Sequence, residues 1–263
     1  MSLLDVKGVS ISFGGVRAVQ DVSFSIDKGQ IVSVIGPNGA GKTTLFNMLS
    51  GVYSPQQGEV RLAGELVTGM PAHLLARRGL SRTFQNLQIF SAMTVLENVA
   101  TGFHLQENGS LLADLLGLPS ARRRMKRSEE QSMELLKTVG LERAAGFEAG
   151  SLSYGALKRL EIARALALQP QLLLLDEPAA GCNAVETEEI EKLVAQVAKS
   201  GTAILLVEHD MKMVMRISNH IVVLDHGEKI AEGTPAEVVS HPRVIEAYLG
   251  VAATEEATRY AEC

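Results

Sequence analysis

A glycine-rich stretch near the N-terminus carries the residue types that bind phosphate. Its glycines allow a tight turn whose N–H groups approach phosphate oxygens, its lysine can reach β- and γ-phosphates, and a hydroxyl can ligate Mg²⁺. An apolar run, Ile31–Ile35, precedes it, and a helical pattern, Thr43–Leu49, follows and adds its positive N-terminal dipole. The pattern predicts a nucleotide site formed by Gly36, Pro37, Asn38, Gly39, Ala40, Gly41, Lys42, Thr43 and Thr44.

Two acids at the end of a leucine run form a second candidate site. Leu172–Leu175 is typical of a strand buried on both faces, and Asp176 and Glu177 follow it. Ligands bind at the carboxyl ends of strands in doubly wound sheets. We expect Asp176 to hold the Mg²⁺ and Glu177 to polarise the water that attacks the γ-phosphate. A strand that simply ends in a charged turn is the alternative, and the phosphate loop upstream argues against it.

A histidine ends a third apolar run. His209 follows Ala203–Val207 and Glu208, as the acids follow the leucine strand. A lone histidine is usually structural, but this position predicts a contact with the γ-phosphate. The candidate catalytic residues are therefore Glu177, His209 and Lys42.

The elements that must position these residues alternate between strand and helix patterns. The first thirty residues alternate apolar and polar side chains, which predicts antiparallel strands. Strand patterns at Ile221–Leu224 and in the runs above, with a helix over Ala184–Ala198, favour a parallel sheet. Between Leu74 and Leu168 the spacing predicts mostly helix. Within it, the basic run Arg122–Arg127 indicates a solvated helix face, or else a contact with lipid headgroups or a partner protein.

The composition is that of a globular chain. Of 263 residues, 46% are hydrophobic and 21% charged, which excludes disordered, collagen-like and coiled-coil proteins. The net charge of −5 argues against a nucleic-acid partner. Two cysteines, Cys182 and Cys263, form no disulfide framework or zinc spacing. Without a signal peptide or a run of about 18 apolar residues, we expect a cytosolic protein that meets a membrane only through a partner.

A signature motif connects these features to a known family. Residues 151–164 read SLSYGALKRLEIAR. This sequence resembles the signature of ATP-binding-cassette (ABC) ATPases, Leu-Ser-x-Gly-Gln followed by a basic helix. The resemblance spans about residues 3–250, and it implies a P-loop NTPase (RecA-like) α/β core with a mostly parallel sheet, an N-terminal antiparallel β subdomain and an inserted α-helical subdomain. The family's other motifs occur in order: the phosphate loop, Gln85, Asp176 with Glu177, and His209.

The resemblance implies roles for further residues. Ser153 and Gly155 would address the γ-phosphate held by the other subunit of a head-to-tail dimer, so that two ATP molecules are sandwiched. Gln85 would contact Mg²⁺ and report to the membrane partner. Phe13 matches the aromatic residue that stacks on adenine, more often Tyr in the wider family. The implied cofactors are ATP and Mg²⁺.

Several stretches are more closely similar to the longer ATP-binding subunit of high-affinity branched-chain amino acid importers. They include residues 82–86, 94–98, 207–212 and 233–250, and a long insert around 102–130. The implied partners are two transmembrane permease subunits, a sister ATPase subunit or a second copy, and indirectly an extracytoplasmic amino-acid-binding protein. The implied location is the cytoplasmic face of the inner membrane, as a peripheral subunit.

Two positions depart from the family pattern. Ala156 stands where the signature usually has Gln or Glu, which removes a polar group near the composite site. Cys182-Asn183-Ala184 stands where this subfamily usually has Leu-Asn-Pro. We expect retained hydrolysis with altered rate or coupling, with Cys182 packing as a small hydrophobe.

Other functions share parts of this pattern. ATPases of urea and amide importers are similar, and no residue of this chain is expected to touch the cargo. Soluble ABC-type ATPases of DNA repair or translation share the core, but they usually carry tandem cassettes, zinc modules or coiled-coil insertions. A GTP-binding switch is disfavoured by the absence of an Asn-Lys-x-Asp segment. The expected domain organisation is one cassette over residues 1–250, with a helical subdomain over about 86–165, and a loose tail over 251–263.

Overall fold

A computed structural model describes residues 2–105 and 119–248 of the chain. Within them lie ten strands in two sheets, covered by helices. The long helices outside the sheets are the phosphate-loop helix Lys42–Leu49, the basic helix Pro119–Thr138, the signature helix Tyr154–Leu166 and the coupling helix Ala184–Lys199. The shorter ones are Ala72–Arg77, Val95–Ala100, Met211–Ile217, Pro235–Val239 and residues 242–248.

The N-terminal region forms the predicted antiparallel sheet. Its four strands are β1 Leu4–Phe13, β2 Val16–Ile26, β4 Gln57–Leu62 and β5 Glu65–Leu66. They lie in the order β2-β1-β4-β5, and each pairs antiparallel with its neighbour. Gly14 and Gly15, both with positive φ, make the hairpin turn between β1 and β2. The turn places the end of β1 beside the start of β2.

The second sheet has six strands, β3 Ile31–Ile35, β6 Leu80–Arg82, β7 Leu172–Asp176, β8 Ala203–Val207, β9 His220–Asp225 and β10 Glu228–Gly233. They lie in the order β10-β9-β3-β8-β7-β6. All neighbours pair in parallel except β10 and β9, which confirms the mostly parallel core. Because β3, β8 and β7 lie side by side, the segments that follow them meet at one edge of the sheet.

The run of four leucines in strand β7 packs into two different cores, one on each face of the sheet. Leu172 and Leu174 face the core shared with the antiparallel sheet and the phosphate-loop helix. Leu173 and Leu175 face the opposite core, shared with the signature and coupling helices. All four side chains are fully buried, so a polar residue on either face would be left without water.

The expectation of a mostly helical region between Leu74 and Leu168 is wrong at its start. Strand β6 pairs in parallel with β7, with Leu80 beside Leu172. Residues 83–93 then contain neither helix nor strand. Three residues are too few to show a period, and β6 forms because a partner strand about ninety residues later offers its edge.

The basic run Arg122–Arg127 lies on the basic helix, where most of its side chains are exposed. This placement agrees with the solvated-face interpretation. Much of the predicted long insert, and the predicted tail over 251–263, lie outside the described residues. Across the residues that the structure describes, no helix is long and apolar enough to cross a membrane.

Candidate functional site

The phosphate loop is shaped by close backbone approaches at its glycines. Gly36 and Gly41 have φ of 152° and 101°. A Cβ on Gly36 would lie 2.1 Å from the Leu224 carbonyl oxygen, and one on Gly41 would lie 2.4 Å from that of Ala18. Only glycine fits at both positions, so the loop can lie against β9 and β2 while its N–H groups stay available for an anion.

Lys42 begins the phosphate-loop helix, and its side chain turns back over the loop. Its ammonium donates hydrogen bonds to the carbonyl oxygens of Gly36 at 2.7 Å and Pro37 at 2.9 Å. Burial lowers the pKa of Lys42, while the nearby carboxylate of Glu177 opposes that shift. A buried cation among backbone dipoles has lost hydration, so a phosphate group would be a favourable ligand for it.

Glu177 follows β7 and its carboxylate is held from two sides. The side-chain amide of Gln85 donates to Oε2 at 3.1 Å, and Nε2 of His209 lies 2.9 Å from Oε1. The backbone of Glu177 has φ of 50°, in the left-handed region, and its N–H donates to the Val207 carbonyl oxygen at 2.8 Å. Such a conformation costs energy in a residue with a Cβ, and it is typical of functional positions.

His209 is placed by a buried acid that sequence reasoning did not assign a role. Glu208 is 4% exposed, and its Oε2 accepts the backbone N–H of His209 at 2.7 Å. Its Oε1 accepts the N–H of Ala179 at 2.8 Å. One carboxylate therefore joins the loop after β8 to the loop after Glu177. The sequence did carry a sign of this role. Glu208 directly follows a buried strand, and a charged residue in that position needs buried hydrogen-bond partners.

Asp176 lies deeper than Glu177 and is paired with a cation. Its Oδ2 lies 3.0 Å from Arg82, and both side chains are less than a tenth exposed. Arg82 also donates to the side chains of Asn47 and Ser50, at the end of the phosphate-loop helix. This second missed residue connects β6, β7 and that helix, and it gives the buried side chain of Asp176 a cationic partner.

A cavity of about 390 Å³ brings together part of the predicted site, although Gln85 and Asp176 are not among its lining residues. It is lined by residues 38–44 of the phosphate loop, by Glu177 and His209, and by residues 16–18 of β2. Phe13 lies at the end of β1, 44% exposed, and its ring meets that of Tyr53 edge to face with centroids 5.2 Å apart. Phe13 thus forms an exposed aromatic pair with Tyr53, three residues before Val16, which lines the cavity.

Ser153 and Gly155 are not among the described residues that line this cavity. Ser153 caps the signature helix, accepting the N–H of Ala156 at 3.3 Å. The carboxylate of Glu186 lies against this turn, where it accepts from the Ser153 hydroxyl at 3.3 Å and from the Gly155 N–H at 3.2 Å. Within one chain, the signature and the phosphate loop are thus separate anion-attracting surfaces.

The two departures from the family pattern have structural explanations. Ala156 is 7% exposed, and its apolar side chain packs in the core beneath the signature turn. Cys182 packs against the same core, as predicted. Asn183 caps the coupling helix and forms a capping box with Glu186, which gives the helix a defined start without proline.

The fold and the site define the class. A parallel core sheet, an antiparallel N-terminal sheet, a phosphate loop facing a glutamate, and a separate helix-capping signature characterise an ATP-binding cassette. A family model described as "ABC transporter" matches residues 19–180, and this chain belongs to that family as its ATPase component. A second model, "Branched-chain amino acid ATP-binding cassette transporter", matches residues 228–254.

Two curated relatives resemble almost the whole chain. The high-affinity branched-chain amino acid transport ATP-binding protein BraF of Pseudomonas aeruginosa is 46% identical over 251 residues, 95% of this chain and 98% of BraF. The corresponding protein LivG of Escherichia coli is 45% identical over 251 residues, with the same coverage. Among solved structures, the ADP conformation of the ATP-binding cassette MJ1267 is 32% identical, with a TM-score of 0.83 over 95% of this chain and 99% of that chain.

Proposed function

We propose that this chain is the energy-coupling ATPase of an importer for branched-chain amino acids. The observation that carries the ATPase chemistry is the cavity in which Lys42 and Glu177 face the same space. Two findings support this cargo. BraF and LivG are both named as ATP-binding proteins of branched-chain amino acid transport, and the branched-chain amino acid family model matches residues 228–254. The ATPase of a urea or amide importer is the alternative cargo assignment.

Glu177 acts as the general base. Its carboxylate is oriented by Gln85 and His209, and it takes a proton from the water that attacks the γ-phosphate in line. Lys42 neutralises charge on the β- and γ-phosphates, and the backbone N–H groups of residues 38–44, which line the cavity, hold the phosphates. His209 also contacts the γ-phosphate, and Phe13 stacks on the adenine.

The residues present suit Mg²⁺ as the companion of ATP. The hydroxyl of Thr43, the carboxylate of Asp176 and the amide oxygen of Gln85 are hard oxygen donors, which Mg²⁺ prefers. Thr43 also lines the cavity beside the phosphate loop. Bound Mg²⁺ would supply neutralisation of the charge that develops on the transferred phosphoryl group.

The working unit is a head-to-tail pair of cassettes. Ser153 and Gly155 of one chain would meet the γ-phosphate of the other, which agrees with their place outside the cavity of their own chain. The dimeric post-hydrolysis structure of the cassette MJ0796, bound to ADP and Pi, supports such pairing; it is 26% identical, with a TM-score of 0.72 over 88% of this chain and 98% of that chain. The second cassette is a sister ATPase or another copy.

The remaining assembly follows from this role. Two transmembrane permease subunits would hold the cassette pair at the cytoplasmic face of the inner membrane, and an extracytoplasmic binding protein would deliver the amino acid. Residues 1–250 would work as one cassette, with residues 86–165 as its helical subdomain. No nucleic acid takes part.

The ATPase chemistry is tested by Glu177→Gln. We expect ATP binding to persist, turnover to fall at least about 100-fold, and an ATP-dependent dimer to accumulate. Glu188→Gln is the matched control, because Glu188 is an exposed acid paired with Lys192 and should leave turnover unchanged. Wild-type turnover in Glu177→Gln would refute the assignment of the base.

The importer assignment needs a separate test. The tagged chain is purified from detergent-solubilised membranes of its source, and copurifying proteins are identified by mass. Two multi-spanning subunits and a sister ATPase are expected, and the reconstituted complex should import leucine but not urea. Recovery with ribosomes or DNA would instead indicate a soluble ABC-type ATPase.

A further inference from the structure

Lys158 is a buried cation that the mechanism above does not use. It lies one turn into the signature helix and is 1% exposed. Its ammonium donates to the main-chain carbonyl oxygen of Glu177 at 3.3 Å, and it lies 5.8 Å from the centroid of the Tyr154 ring. Among the described residues, no carboxylate lies within ion-pair distance of this ammonium.

Such a side chain is costly to the fold. A buried ammonium loses its hydration, and one carbonyl bond with one aromatic face replaces that hydration only in part. An apolar side chain of similar length would occupy the same space without this cost. The charge of Lys158 opposes the burial-driven rise in the pKa of Glu161, which offsets part of that cost, while its one hydrogen bond leads directly to the main chain of the candidate base.

The main chain at Glu177 needs support. Its φ of 50° is unfavourable for a residue with a side chain, and the direction of the carboxylate depends on this conformation. The Glu177 N–H donates to the Val207 carbonyl of β8, while the Glu177 carbonyl oxygen accepts from the Ala180 N–H at 3.2 Å and from Lys158 of the signature helix at 3.3 Å. Gln85 and His209 fix only the carboxylate.

We propose that Lys158 is a positioning residue for Glu177, which ties the candidate base of one nucleotide site to the helix that serves the other. The inference rests on the proposed function, because it takes Glu177 as the base and the signature helix as the part that reaches the partner's nucleotide. Lys158 does not line the cavity of its own chain. It acts by keeping the Glu177 backbone in the conformation that aims the carboxylate into the cavity.

The test is Lys158→Met, which keeps the length of the side chain and removes its charge. We expect kcat for ATP to fall about 10- to 100-fold, the range that a small misplacement of a catalytic group produces. KM for ATP should stay within about twofold, because Lys158 does not line the cavity. The Tm should change little, because the relief of a desolvated charge is offset by the lost attraction to Glu161.

Arg159→Met is the matched control on the next residue. Arg159 donates to the Val139 carbonyl oxygen at 3.1 Å and pairs with Glu189 at 3.4 Å, away from Glu177. Arg159→Met should lower the Tm and leave kcat at the wild-type value, whereas Lys158→Met should lower kcat. Lys158→Arg, which keeps a donor, should recover part of kcat.

The outcomes separate the two proposals. Wild-type kcat in Lys158→Met would overturn the positioning role, and so would a fall in kcat that merely follows a lower Tm or a smaller folded fraction. If the wild-type chain itself hydrolyses ATP and Glu177→Gln does not, the proposed ATPase chemistry stands whichever way Lys158→Met behaves.

Discussion

The carboxylate of Glu186 lies 3.2 Å from the backbone nitrogen of Gly155, at the N-terminus of the signature helix of its own chain. The contact is close, since a Cβ on Gly155 would lie 2.5 Å from the Glu186 carboxyl carbon. A negative group thus already occupies the turn that is proposed to receive the partner's γ-phosphate. In the proposed head-to-tail dimer, the γ-phosphate would displace this carboxylate when two cassettes close.

We therefore expect Glu186→Gln to strengthen ATP-driven dimerisation. The neutral amide can still accept from the signature turn, but it competes less well with a phosphate for positive backbone dipoles. In a Glu177→Gln background, the dimer dissociation constant at saturating ATP should fall several-fold, measured by analytical ultracentrifugation. Glu188→Gln removes the same charge two residues further on, and should have no effect. An unchanged dissociation constant for Glu186→Gln would show that the carboxylate does not compete.

The exposed aromatic pair of Phe13 and Tyr53 predicts a change in ATP affinity. Phe13→Ala removes the exposed ring and leaves Tyr53 without its edge-to-face partner. Stacking on a base is worth about 1–3 kcal/mol, so Kd for ATP should rise about 5- to 150-fold, measured by calorimetry. Phe13→Tyr should bind like the wild type, and Phe147→Ala is the control at another exposed ring. Equal affinity in Phe13→Ala would place the adenine elsewhere.

The buried ion pair predicts a large loss of stability. Arg82→Met leaves the Asp176 carboxylate buried without its cation and removes the donor to Asn47 and Ser50. The free energy of unfolding should fall by about 3–5 kcal/mol, measured by urea denaturation. Arg61→Met, which breaks the exposed pair with Glu59, should change it by less than about 1 kcal/mol. A small effect at Arg82 would mean that water reaches Asp176.

Glu161 predicts a dependence of stability on pH. Burial raises the pKa of Glu161 above 4.5, although hydrogen bonds from the Phe84 and Gln88 N–H groups and the charges of Lys158 and Arg164 oppose the shift. Below pH 4.5 the carboxyl is neutral in the folded and unfolded chains, so its ionisation costs nothing. As pH rises through the raised pKa of the folded state, the cost of a buried charge develops in full.

Glu161→Gln should therefore be more stable than the wild type at pH 8, and the gain should shrink towards pH 5. Its amide oxygen can still accept from the two backbone N–H groups. Unfolding in urea at intervals between pH 5 and pH 8 measures the difference. A gain that is constant with pH would show that ionisation of Glu161 is not its cause.

Where the chemistry depends on neighbours in the chain, the sequence alone was sufficient to predict the structure. The phosphate loop needs glycines at positions where a Cβ would clash, and Gly36 and Gly41 lie at such positions. The leucines of β7 are buried on both faces, as their unbroken run predicts. The strand ends carrying Glu177 and His209 meet because strands β7 and β8 are adjacent in a parallel sheet.

Only the tertiary structure decided the pairs that support this site. Arg82 meets Asp176, Glu186 covers Gly155, and Lys158 reaches Glu177. These partners lie 94, 31 and 19 residues apart in the chain. Local spacing sets the conformation of a loop or a helix face through sterics and hydrogen bonds between near neighbours. Contacts between distant residues depend on which strands and helices pack side by side, and that choice is made by the whole core at once.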